Sequence, residues 1–210
     1  VSSLTSDECV CPTRVPGEHW ADGGYWKNLN THNWNAFGDA FKNIWNSTIS
    51  GAVLCNKLIN TLDTYKENMT DEVYLQYRGE LEVMRSYYYY LLFDSFGRIP
   101  YMEDYSDRNE QLLDPWVTWA HLVSCLERTA PKMAVVNDAN RQLYLGRCTQ
   151  GVAYTLLAKL YLNAESYGCT PENVMAAKRT CTVQNGKEGS VRFQAVGINV
   201  ASGGDFDTNV

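Results

Sequence analysis

Apolar residues that recur at steps of three and four constrain this chain more than any other feature. Phe37, Phe41, Ile44, Thr48, Ala52, Cys55, Ile59 and Leu62 are spaced 4, 3, 4, 4, 3, 4 and 3 apart. At about 3.6 residues per turn this spacing lines one face of a helix, whereas a strand would scatter it over both faces. A helix is therefore predicted over residues 35–62, with Gly51 either a weak point or a site of close packing. Tyr74, Tyr77, Leu81, Met84, Tyr88 and Leu91 predict a second helix over 71–96, with Asp71 as N-cap. Gly97 and then Pro100 mark its end. Tyr87, Tyr88, Tyr89 and Tyr90 point around the whole circumference, so burial on most sides is expected.

A third helix is predicted from Asp114, the N-cap, and Pro115, the first helical position, to residue 136, with a kink at Pro131. Its stripe is Trp116, Trp119, Val123, Leu126 and Ala130. A fourth covers 149–167, where Ala153, Leu157, Leu160 and Ala164 share a face. Gly151, Ala153, Ala158 and Ala164 are small enough to admit a close neighbour, a texture that stacked helical repeats use, although no fixed repeat period is present. Residues 171–181 suggest a short fifth helix. Residues 1–35 read as irregular, being dense in turn formers such as Pro12, Pro16, Gly17, Gly23 and Gly24. Residues 97–114 read as a loop. The polar, glycine-rich end holds two short alternating runs, 191–193 and 196–200, compatible with strands. The expected fold class is mainly all-α.

The formal net charge is −6 and the cations are scattered, which argues against nucleic acid as a partner. No apolar run is long enough to span a bilayer as a helix, and no signal peptide is visible at Val1. Seven cysteines, an odd number with no C-x-x-C pair, read mainly as buried thiols. His19, His32 and His121 lack metal-ligand spacing, so no metal and no cofactor is expected. The acidic stretch Glu103, Asp104, Asp107 and Glu110 lacks the central glycine and ligand spacing of an EF-hand and reads as a solvated loop. Glu82 and Arg85, three apart, read as a helix-surface ion pair. Asn46 and Asn68 each open an N-x-S/T sequon, which reads as a chance match. No G-x-S-x-G, H-E-x-x-H or phosphate-loop motif is present.

The residues that suit binding lie between Arg14 and Trp34. Trp20, Tyr25, Trp26 and Trp34 occur there in a turn-rich segment with Arg14, Asp22 and Asn28. A flat indole covers the C–H face of a sugar, and its electron-rich ring suits those slightly positive hydrogens. Asp accepts from hydroxyls, Asn donates and accepts, and Arg offers a rigid fork of donors. The alternative is that the tryptophans plug this segment onto the helices, with Trp26 and Trp34 as core.

Ordered blocks of residues also carry a family resemblance. Ser6-Asp7-Glu8, Pro12-Thr13-Arg14, His19 to Trp26 and Asn30 to Trp34 resemble the N-terminal signature of SusD/RagB proteins. Trp45 with Cys55 to Ile59, Glu80 to Arg85 with Tyr87-Tyr88, Phe96 to Pro100, and Gln150 to Ala153 with Leu157 to Ala164 follow in that family's order. The resemblance spans residues 4–167 and implies a SusD-like helical region over 1–167 with tetratricopeptide-like helix pairs. Residues 168–210 match no block and form either a divergent tail or an incomplete remainder. The resemblance implies a non-enzymatic lipoprotein facing outward from the outer membrane of Bacteroidetes. It implies capture of an oligosaccharide or peptide and handover to a SusC-like TonB-dependent transporter. The lipid-bearing N-terminal Cys of that family is not seen in this chain. It also raises Arg14, Trp20, Asp22, Trp26 and Asn28 as ligand contacts. Two rivals stand beside this reading: a helical-repeat module holding a peptide on a concave helix face, and a glycoside hydrolase built on an opposed carboxylate pair.

Overall fold

The computed structural model describes residues 5–6, 8–9, 24–35, 37–106, 111–170 and 172. The chain divides into two compact units, Val1–Ser47 and Thr48–Val210. The described part is mostly helical, as the apolar spacing requires. The predicted short helix at 171–181 and the strands at 191–193 and 196–200 lie outside the described residues.

In the first unit a short helix, α1 (Tyr25–Asn30), stands where irregular chain was expected. Gly24, at φ 89°, supplies the left-handed turn that opens it, a conformation costly for any residue with a Cβ. Leu29 is the buried anchor of α1. The long helix α2 (Asp39–Thr64) begins four residues later than predicted. Asn35 accepts the backbone N–H of Phe37 on its side chain at 2.9 Å, which holds a turn ahead of the helix. Phe37, assigned to the core stripe, is consequently 92% exposed. Of the rest of the stripe, Thr48, Ala52, Cys55 and Ile59 are buried, while Phe41, Ile44 and Leu62 are half-buried.

In the second unit, α3 (Asp71–Phe96) has the predicted bounds. Its cap is Thr70 rather than Asp71: the Thr70 hydroxyl accepts the Val73 N–H at 3.3 Å. Asp71 instead puts its charge in the first turn, where the helix dipole favours it. At the other end Gly97, at φ 72°, donates its N–H to the Phe93 carbonyl. The buried face of α3 is not the predicted stripe. Val83, Ser86, Tyr89, Tyr90 and Phe93 are buried, together with Glu82 and Arg85, whereas Tyr77 is exposed and Tyr88 half-buried. Of the four tyrosines, two are buried, so the expectation of burial on most sides holds only for Tyr89 and Tyr90.

Within the predicted loop, β1 (Ile99–Pro100) pairs antiparallel with β2 (Leu112–Leu113). Asp114 takes the N-cap backbone position of α4 (Pro115–Thr129), but its carboxylate turns to Arg98 at 2.7 Å instead of capping the helix. α4 ends seven residues short of the predicted end. Pro131 lacks an N–H, and the chain tightens into a 3₁₀ turn at Ala130–Lys132. α5 (Gln150–Leu162) is followed by a separate 3₁₀ turn, Glu165–Tyr167, where one helix was expected. The core sits where α3, α4 and α5 meet, with Leu92, Phe93, Leu122, Leu126 and Leu160 almost fully buried. Trp119 ties α4 to α5 by donating its indole N–H to the Leu160 carbonyl at 2.7 Å.

Candidate functional site

Of the five residues expected to contact ligand, Arg14, Trp20 and Asp22 lie outside the described residues. Trp26 and Asn28 lie on α1, inside the first unit. Trp26 is half-buried and meets the edge of Tyr25 at 4.8 Å and 84°. Asn28 is exposed. After α1 the chain reverses through His32, whose φ of 56° is left-handed, and Asn33 donates its N–H to the Asn28 carbonyl at 2.9 Å. The turn is strapped from the N-terminal side. Asn30 donates to the Cys9 carbonyl at 3.0 Å, and His32 Nε2 lies 3.0 Å from the Thr5 carbonyl oxygen.

Trp34, read either as core or as contact residue, is 42% exposed. Its ring is steadied by His32 at 5.0 Å and by Phe41 at 5.9 Å. Edge contacts of this kind fix a ring's orientation and leave part of its face to solvent. Neither Trp26 nor Trp34 is core. The first unit thus carries the partly exposed rings of Trp26 and Trp34, the exposed ring of Phe37 and an exposed amide, Asn28. Phe37 escaped the sequence reading because its place in a helical stripe outweighed the short Asn35 turn before it.

The second unit carries two other features. One is a buried polar cluster. Arg85, 3% exposed, donates to the Asn56 side-chain oxygen at 3.0 Å and the Glu103 carbonyl at 2.8 Å. The surface pair expected between Glu82 and Arg85 is replaced by other partners, from other elements for Arg85 and from both α3 itself and α4 for Glu82. Glu82 accepts from Arg78 at 3.2 Å and from the Thr129 hydroxyl. Burial of both charges is possible because each finds partners that an isolated helix cannot offer. His121 is buried against Tyr101, and burial pushes its pKa below the ordinary 6.5. The acidic stretch is solvated at Asp104, whereas Glu103 is half-buried; Asp107 and Glu110 lie outside the described residues.

The other feature is a pair of shallow grooves, about 510 and 580 Å³, that share Tyr77 and Arg147. Leu58, Tyr65 and Met84 line the first, and Val73, Met133 and Tyr144 the second. Arg147 pairs with Glu80 at 2.7 Å and lies over the Tyr77 and Tyr144 rings at 5.3 and 5.5 Å. Tyr77 was expected to be core and instead forms part of this surface. Cys55, Cys125 and Cys169 are buried, as small hydrophobes are, whereas Cys148 is half-buried and Cys9 exposed; burial pushes the Cys169 thiol up to about 12. Among the described residues no group of three or more His, Cys, Asp or Glu is arranged to hold a metal ion. Among them, too, no helix is long and apolar enough to cross a membrane.

Residues 5–162 match the SusD-like family whose description is "Starch-binding associating with outer membrane". The chain belongs to the SusD-like family. A relative, the starch-binding protein SusD of Bacteroides thetaiotaomicron, is 30% identical over 101 residues, covering 48% of this chain and 18% of the relative. Two solved structures share the SusD-like fold. A laminarin-binding SusD-like protein aligns with TM-score 0.59 and 19% identity over 76% of this chain and 33% of its own. The surface glycan-binding protein A from Bacteroides uniformis aligns with TM-score 0.57 and 23% identity over 75% and 35%. The chain thus spans about a fifth of the curated relative's length and about a third of each solved structure's.

Proposed function

We propose that this SusD-like chain is part of an outer-membrane surface protein that captures oligosaccharide and passes it to a SusC-like TonB-dependent transporter. Binding proceeds without bond chemistry, and attachment is through an N-terminal lipid. The observation that carries this reading is the pair of partly exposed indoles in the first unit. Trp26 and Trp34 keep part of their ring surface exposed while neighbouring rings hold them in place. A rigid, partly exposed indole covers sugar C–H faces with little conformational entropy to lose, and the Asn28 amide reads hydroxyls from either side. Arg14, Trp20 and Asp22, close in sequence, complete the proposed contact set. The family description and the names of the relatives point to the same ligand class.

A glycan-array screen on the full chain, beside Trp20→Ala/Trp26→Ala, tests the site. Binding by the parent that is lost in a mutant of unchanged helical circular dichroism is the expected result. A folded mutant that still binds sinks the site assignment.

The double groove around Tyr77 and Arg147 favours a second reading, a peptide held on a helix face. Tyr77→Ala would then abolish capture of a peptide while glycan binding stayed as in the parent.

A further inference from the structure

Arg147 lines both halves of the double groove and is fixed in place by the protein itself. Its guanidinium lies over the Tyr77 and Tyr144 rings at 5.3 and 5.5 Å and pairs with Glu80 of α3 at 2.7 Å. Gln76, one turn earlier on α3, steadies that carboxylate by donating its side-chain N–H at 2.7 Å. The Gln76 side-chain oxygen accepts the Ala134 N–H at 3.1 Å, and the Gln150 side chain donates to the Ala130 carbonyl at 3.1 Å. The connection from α4 to α5, which carries Arg147, is thus held at both ends.

A guanidinium has five N–H donors. Four of them form two edges that a carboxylate can bridge, and Nη2 contributes one donor to each. The Glu80 carboxylate occupies at most one edge. Among the described residues the Arg147 side chain has no polar partner besides Glu80, so a complete edge is left. The side chain is 28% exposed, which keeps that edge within reach of a ligand. Over the whole lining Lys132 and Arg147 are matched by Glu72 and Glu80, so the groove carries no net charge and selection falls to this edge. A carboxylate fits it best, since charge-assisted bonds are about twice as strong as neutral ones and a bridged pair adds orientation. Aliphatic walls lie to either side: Leu58, Leu62 and Met84 in the first groove, Val73 and Met133 in the second. Such walls take apolar side chains, and neither a nucleic acid nor a sugar chain presents those beside a carboxylate.

Resting on the peptide reading of this groove, we propose that Arg147 is the anchor for a peptide that carries an Asp or Glu between apolar side chains. The ligand carboxylate bridges the remaining edge of the fork, and its neighbours along the peptide enter the two grooves. Glu80 and the two rings already hold the arginine, so little side-chain freedom is lost on binding.

Synthetic hexapeptide pools with Glu, Gln or Lys fixed at a central position among randomised apolar residues test the anchor by fluorescence anisotropy on the full chain. The Glu pool should bind at least about fivefold more tightly than the Gln pool, and the Lys pool more weakly than either. Arg147→Gln, checked for unchanged helical circular dichroism, should bring the Glu pool down to the Gln pool. Arg147→Lys should keep only part of the difference, because the charge stays and the fork is lost. Equal binding of the Glu and Gln pools sinks the anchor and leaves the peptide reading standing, as does a Glu preference retained in a folded Arg147→Gln. Binding of no pool removes both. Where Arg147→Gln does not fold, the Arg147 Nε–H resonance of the unaltered protein decides: it must shift when a Glu peptide binds, and a resonance that stays put overturns the anchor.

Discussion

At Gly51 the absence of one methyl group allows α2 to meet the Tyr88 ring. A Cβ built there would come within 2.6 to 2.8 Å of three atoms of that ring. Gly51 is thus the close-packing site and not the weak point its helix propensity alone suggests. Gly51→Ala improves local propensity and still should destabilise the fold by about 1–3 kcal/mol, since the ring or the helix must move. Urea melts of the two proteins measure this, and an unchanged or higher midpoint would refute the packing argument. Tyr88 shows the same non-local control from the other side. It lies in a run of four identical residues, and only its partner on α2 distinguishes its role from that of exposed Tyr87.

At the scale of elements, two links between helices are testable. Trp119 joins α4 to α5 through a buried bond to the Leu160 carbonyl. Trp119→Phe keeps an aromatic ring but removes the donor, and the stranded carbonyl should cost about 1–3 kcal/mol in a thermal or urea melt. Asp63 joins α2 to α3, accepting from Arg78 and from the Tyr74 hydroxyl, the latter at 2.7 Å. Partial burial works against its carboxylate, but those hydrogen bonds and the Arg78 charge outweigh it and hold its pKa below 3.8. Its contribution is therefore complete above about pH 3.8 and disappears as pH falls through the lower folded value. Asp63 is 43% exposed on its side chain, so the effect is screened and small. Acid unfolding of Asp63→Asn should show a shallower loss of stability below about pH 4 than the parent; an identical acid limb would argue against the link.

The described part of the molecule offers two kinds of surface. One is the set of partly exposed aromatic side chains of the first unit, Trp26 and Trp34. The other is the double groove of the second unit around Tyr77 and Arg147. Their chemistry differs: exposed indoles with an amide in one, aliphatic side chains with an arginine between two tyrosines in the other. Trp26→Ala should lower glycan affinity without altering the melting temperature by more than a few degrees, because the ring is only half-buried. Tyr77→Ala should leave glycan affinity where it is. Isothermal titration of both variants with the array-selected glycan separates the two surfaces; equal losses in both would remove the assignment to the first unit's indoles.

The bounds of α3 and the apolar face of α2 from Thr48 onward were legible in the chain itself. A helix period, a glycine at a C-cap and a proline at a first turn are interactions among residues a few positions apart. The aromatic character of the Arg14 to Trp34 stretch was legible for the same reason. The buried face of α3 was not. Tyrosines all round the helix blur any stripe, and Glu82 and Arg85 read as surface charges until their partners arrive. Those partners, Thr129 for Glu82 and Asn56 and Glu103 for Arg85, lie 18 to 47 positions away along the chain. Burial of a charge depends on distant groups that replace its lost water, and only the folded chain supplies them. The exposure of Phe37 was settled by where the Asn35 turn lets α2 begin and not by the hydrophobicity of its ring.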